Sequence, residues 1–179
     1  MSTSPKRPLA EMEAKALALI ESLRSSCERI EVAGSIRRRC AMVGDIEIVA
    51  IPRMLPVPEL FVGQTSKRNA LWETLDAMEP QYVKRGEKYR QALIDGVTAD
   101  LFTATAENFG LIHLIRTGSA DFSRHVVTQL RTQGYCSDGG KCYRLADGQP
   151  VGDPISTPEE GEVFRLAGML YVEPEKRSL

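Results

Sequence analysis

Apolar residues at Leu9, Met12, Ala16, Leu19, Ile20 and Leu23 recur at three- and four-residue spacing. That period predicts an amphipathic helix from residue 9 to near Ser25-Ser26, packed on a sheet. Ile30-Glu31-Val32-Ala33 reads as a strand, and Gly34-Ser35 marks the point where it breaks into a helix or turn. A second strand begins at Asp45, where the run through Ile51 is rich in β-formers. Residues 52–66 carry three prolines and Gly63, which predicts an irregular connection and a candidate flap with no chemistry assigned to it. Residues 68–78 place Leu71, Leu75 and Met78 on one helical face, and Pro80 stops them. Three strands follow at residues 81–85, 89–94 and 97–104, joined at Gly86-Glu87 and at Asp95-Gly96, the stronger hairpin signal.

Two helices are predicted next, at residues 106–115 and 119–133, separated by Thr117-Gly118; Phe122, Val126, Val127 and Leu130 give the second its buried face. The glycine-rich stretch 134–151 predicts a small antiparallel sheet that includes residues 143–145 and 149–151. Thr157-Pro158-Glu159-Glu160 then reads as an N-cap threonine, a first-turn proline and a capping-box glutamate. The helix runs through Val163, Phe164 and Ala167 and closes at Gly168. No internal repeat is present, and the subdomain boundary falls near Thr117-Gly118.

At 179 residues and 42% hydrophobic, the chain has material for one core or two small ones. No apolar run approaches the about 20 residues of a membrane span, and residues 1–8 lack a secretory stretch. The expectation is a cytoplasmic monomer with no membrane partner. The four cysteines show no paired CxxC spacing and the two histidines are not arranged as zinc ligands, so reduced thiols are expected. A formal net charge of −1 gives no molecule-wide basic field, so any nucleic-acid contact must come from local clusters.

Chemistry concentrates where carboxylates enter apolar strands. Strand geometry sends Asp45 and Glu47 out of one face, and Asp100 leaves its strand opposite Ala99 and Leu101. Three carboxylates from adjacent strands would form an all-oxygen site suited to Mg²⁺ or Mn²⁺. Beside them Gly34-Ser35 offers backbone N–H groups and a hydroxyl, and Arg37, Arg38 and Arg39 bring positive charge. Acids for metals next to a phosphate cradle point to phosphoryl or nucleotidyl transfer. Taken singly, an Asp-x-Glu pair is most often solvent-facing, three arginines a solvated face, and Gly-Ser a turn. Their joint order is the informative feature. Lys84, Arg85, Lys88 and Arg90 either touch a phosphate backbone or guard a hairpin edge with charge. His113 reads as a core or interface histidine.

GSIRRRCAMVGDIEIVA resembles the Gly-Ser-x-Arg-Arg to Gly-Asp-x-Asp signature of the polymerase beta nucleotidyltransferase superfamily, specifically the X-family DNA polymerases. VTADLFTA resembles the strand with that family's third acid, RTGSADF its Thr-Gly-Ser turn, and TPEEGEVFRLAGMLYVEPEKR its closing thumb helix and final Pro-x-x-Arg. The likeness implies an α+β fold: a nucleotidyltransferase palm with a mixed β-sheet and helices on one face (residues 1–117), then a small α+β thumb (residues 118–179). In this minimal form Asp45, Glu47 and Asp100 would hold two Mg²⁺ ions. Gly34, Ser35 and Arg38 would grip the triphosphate, while Gly118 and Ser123 would line the sugar and base. The Gly118-Ser119 peptide matches one the family holds cis. Arg124 and Arg131 would meet duplex DNA together with the Lys84 to Arg90 cluster. The implied activity is transfer of a deoxynucleotide from its triphosphate to a primer 3′-hydroxyl on gapped or primer-template DNA, in short-gap repair. A transferase acting on RNA, a protein or a small molecule is the alternative, and a DNA-binding accessory module is the non-enzymatic one. Two departures stand out: Glu47 occupies an aspartate position, and Ile115-Arg116 replace an aromatic pair.

Overall fold

A computed structural model describes residues 5–57 and 67–178. Strand β1 (Arg7–Pro8) leads into α1 (Leu9–Leu23), whose buried stripe is Met12, Ala16, Leu19, Ile20 and Leu23, the residues of the helical period. After a tight turn at Arg24–Ser26 come β2 (Cys27–Val32) and the one-turn helix α2 (Gly34–Arg37). Next are β3 (Met42–Val43), which pairs with β1, and β4 (Ile46–Pro52). The stretch read as irregular contains β5 (Met54–Pro56), paired antiparallel with β6 (Lys67–Asn69). Residues 58–66 of the candidate flap lie outside the described residues.

Pairing of residues 67–69 delays α3 (Ala70–Ala77), which Asn69 caps by accepting the Trp72 N–H. Strands β7 (Gln81–Arg85), β8 (Tyr89–Ile94) and β9 (Val97–Thr103) follow, with Asp95 and Gly96 both at positive φ in the predicted turn. The remaining elements are α4 (Phe109–Thr117), α5 (Ala120–Thr132), β10 (Tyr135–Asp138), β11 (Lys141–Ala146), β12 (Gln149–Ile155) and α6 (Glu160–Leu166).

Five strands form a mixed sheet in the order β2-β4-β9-β8-β7, with β4 and β9 parallel and the other pairs antiparallel. Alternation along the strands divides its two faces. Ile46, Ile48, Ala50, Ala99 and Leu101 pack with α1 and α3 in the main core. On the other face Val49, Phe102 and Ala104 meet Ala33 and Phe109 of α4. A separate core joins Leu111 and Leu114 of α4 to α5, Cys142 of β11, and Val163, Phe164 and Leu166 of α6. Helix α4 therefore belongs to both bodies, and it sets the second one over the sheet face that carries the acids.

One cap differs from its prediction. The N-cap of α6 is Glu159, boxed with Glu162, and Thr157 lies earlier and fully buried. Its N–H donates to the Glu107 carbonyl and its carbonyl accepts from Gly110, so the threonine ties the helix entrance to α4. Among the described residues no helix is long and apolar enough to cross a membrane.

Candidate active site

Parallel pairing of β4 with β9 sets Glu47 beside Asp100. Asp45 lies two residues before Glu47, just ahead of β4. The three acids share one electrostatic neighbourhood. Burial pushes the Glu47 carboxyl up to about 7, with Asp45 and then Asp100 adding to the rise. Asp45 is also raised, first by burial and then by Asp100. Arg38 opposes the rise at both sites, and Arg116 opposes it at Glu47.

Gly34 sits against this cluster with φ +63°, and a Cβ there would stand 1.9 Å from Glu47 Oε2. Glycine is thus required twice, by the backbone and by the carboxylate. Arg38 follows α2 and donates through its terminal nitrogen to the Thr117 carbonyl at 2.5 Å, while its buried Nε has no partner. The side chain that the resemblance gives to the triphosphate is docked on the end of α4. Ser35 is half-buried in α2.

Asp100 is the most organised of the three. Tyr89 Oη donates to Asp100 Oδ1 at 2.5 Å and Gln91 Nε2 donates to the same oxygen at 2.9 Å. The Tyr89 ring stacks on Phe102 with centroids 4.7 Å apart, and the Arg116 guanidinium lies 3.9 Å over the Phe102 ring. None of these neighbours was singled out from sequence as a partner of Asp100. A signal was present, because a two-residue Asp95-Gly96 turn fixes the register that sets Gln91 opposite Asp100 and Tyr89 opposite Phe102. Among the described residues no three His, Cys, Asp or Glu side chains are grouped so that they could hold a metal ion as placed.

Residues 113–178 match the family model described as DNA polymerase beta thumb. Nearly the whole chain, 98% of it, superposes on 77% of Leishmania infantum polymerase beta in a ternary P/T complex, with TM-score 0.75 and 18% identity. No curated protein matches the chain by sequence. The chain shares the polymerase beta fold, and its C-terminal third carries the thumb signature of that family.

The thumb of this polymerase-like fold is joined to the rest of the chain by ion pairs, of which the Arg177–Glu160 pair is buried on both sides. Glu160 at the start of α6 accepts bidentate pairs from Arg37 (2.5 and 3.0 Å) and from the fully buried Arg177 (both 2.8 Å). Arg37 also donates to Thr117 Oγ1, and Arg29 of β2 makes a bidentate pair with Glu159. His113 is buried at the same joint, its Nε2 2.9 Å from the Val32 carbonyl oxygen; burial, and then Arg37, hold its pKa below the usual value. It is a core histidine, in line with the sequence reading.

The Thr-Gly-Ser turn departs from one expectation. No cis peptide bond occurs among the described residues, so Gly118-Ser119 is trans. Gly118 is extended, and the Ser119 N–H donates to the Arg177 carbonyl while its hydroxyl caps α5. A Cβ on Gly118 would stand 2.8 Å from Ser123 Oγ, and that hydroxyl donates to the Ile115 carbonyl. Of the cations assigned to DNA, Lys84, Arg85, Lys88, Arg124 and Arg131 are exposed, with Arg85 paired to Asp76 and Arg124 to Asp121. Arg90 differs. Its guanidinium lies 4.5 Å over Trp72 and bonds Asp76, so its charge is engaged within the fold.

Proposed function

We propose that the chain is a metal-dependent nucleotidyltransferase, a DNA polymerase that adds a deoxynucleotide to a primer 3′-hydroxyl during short-gap repair. The observation that carries this reading is the cluster of Asp45, Glu47 and Asp100: burial and the neighbouring acids raise Asp45 and Glu47, and among the described residues no arginine is hydrogen-bonded to any of the three. Such a set is stabilised by a multivalent cation, and an all-oxygen donor set suits Mg²⁺ or Mn²⁺. When bound, two such ions would activate the attacking hydroxyl and neutralise charge on the leaving pyrophosphate.

The three carboxylates are the proposed ligands, drawn together by the ions' charge. Gly34 and Ser35 would lie along the triphosphate, and Arg38 would leave the Thr117 carbonyl to meet it. Gly118 and Ser123 would flank the sugar and base. The reading divides the chain into a palm of residues 1–117 and a thumb of residues 118–179, supported by a core on each face of the sheet and a third beyond it, which shares α4 with one of them. The exposed cations Lys84, Arg85, Lys88, Arg124 and Arg131 would supply contacts to gapped or primer-template DNA, as a cytoplasmic monomer. The base is chosen by the template, while the protein contributes position and charge.

Primer extension on gapped, nicked and single-stranded DNA with each deoxy- and ribonucleotide tests the proposal. Template-directed extension is expected with Mg²⁺ or Mn²⁺, and Asp45→Asn and Asp100→Ala should each lower it by about a hundred- to a thousandfold with the fold intact. Full activity in Asp45→Asn would remove that residue from the reaction. Nucleotide consumption without DNA extension would shift the acceptor to RNA, a protein or a small molecule.

A further inference from the structure

We propose that Tyr89 and Gln91 are positioning residues for Asp100: they fix one oxygen of its carboxylate so that the other faces the divalent cation of the proposed reaction. The inference rests on that reaction and adds two residues to it. Asp100 is buried at 8% exposure, where a carboxylate needs donors to remain in place. Both donors converge on Oδ1, at 2.5 and 2.9 Å, and no described residue donates to Oδ2.

The clamp is built from the backbone outward. The hairpin register sets Gln91 directly across from Asp100 and Tyr89 across from Phe102, one step along the same face. Stacking on Phe102 holds the phenol ring at an interplanar angle of 11°, so the hydroxyl reaches diagonally to the acid, while the Lys84 ammonium lies 5.7 Å over the ring and makes no bond to the hydroxyl. Arg116 covers Phe102 and steadies that platform from α4.

Neutral donors matter here. An arginine in the same place would orient the carboxylate and also cancel its charge, as Arg37 and Arg177 do at Glu160. A phenol and an amide orient it and leave the charge to a cation.

Mn²⁺ alone, without DNA or nucleotide, is titrated into the full chain and free ion is read by electron paramagnetic resonance. Wild type is compared with Asp100→Asn, Tyr89→Phe, Gln91→Met and the double variant. Tyr89→Phe keeps the stack and loses only the hydroxyl; Gln91→Met keeps the volume and gives a second variant should the first misfold. Each single variant should weaken Mn²⁺ binding by about tenfold and the double variant by more, since partners that orient metal ligands carry effects of that size. In primer extension kcat, normalised to the folded fraction measured by circular dichroism, should fall while the KM for nucleotide holds. If Asp100→Asn loses Mn²⁺ and both single variants bind it like wild type, the clamp is overturned and the reaction stands. If Asp100→Asn binds Mn²⁺ as wild type does, the metal reading of the site falls, and the clamp with it.

Discussion

Glu47 and Glu160 are the same side chain drawn out of water in two places, and they end in opposite states. Burial raises both. At Glu160 hydrogen bonds from Arg177 and Arg37 overcome it and hold the carboxyl at about 2. At Glu47 the charges of Asp45 and Asp100 add to burial and outweigh Arg38 and Arg116, so the carboxyl stands at about 7. The thumb joint is electrostatically complete, whereas the acid face carries carboxylates that raise one another. Burial of charge alone therefore says little about a site's role. The balance of its partners does.

The largest expected effect comes from unbalancing the complete side. Glu160→Ala leaves Arg177 buried and Arg37 without its bidentate partner, and should cost about 3–5 kcal/mol in urea unfolding. A loss under about 1 kcal/mol would mean that the joint is held by its apolar core instead.

Less of this contrast was legible in the sequence than the fold was. The helical period of residues 9–23, the Asp95-Gly96 hairpin and the face shared by Phe122, Val126 and Leu130 are local patterns, and the chain obeys them. Placing Glu47 beside Asp100 needs the parallel pairing of β4 with β9, two strands about 50 residues apart in the chain, which no local period specifies. The sequence reading put the acids on adjacent strands without deriving that pairing, and the resemblance placed them around shared ions. Arg37 was visible only as one of three arginines, because its partner Glu160 lies more than a hundred residues on, where it also accepts from Arg177. Thr157 was misread for a related reason. Its cap-like sequence was sound, but Thr157 is held against Glu107 and Gly110, and the helix starts after Glu159.

The opposite signs of the two glutamates give opposite pH dependences. Glu160 is lower in the folded chain than the ordinary 4.5, so its stabilisation is present above that value and is lost as pH falls toward about 2. Glu47 is higher when folded, so the protein is favoured below 4.5 and loses that advantage as pH rises through about 7. Glu47→Gln should accordingly be more stable than wild type above pH 7, by about 1–2 kcal/mol after allowance for solvent screening, and should converge with it near pH 4.5. Thermal melts from pH 4 to 8 check this. Mg²⁺ should raise the wild-type melting point at pH 8 and leave Glu47→Gln less affected. A glutamine variant with an unchanged profile would place the burden on Asp45 alone.

The smallest effect separates two neighbouring arginines that look alike in sequence. Arg90 lies over Trp72 and bonds Asp76, so Arg90→Ala should cost about 1 kcal/mol of stability. Arg85 is exposed on the adjoining strand, and Arg85→Ala should leave the urea midpoint in place. On gapped DNA the order reverses. If Arg85 meets a phosphate, its removal lowers the slope of log affinity against log salt by about 1, whereas Arg90→Ala keeps the slope once the protein is folded. Equal slopes for Arg85→Ala and wild type would take β7 off the DNA path and leave the exposed Arg124 and Arg131 of the thumb as the principal contacts.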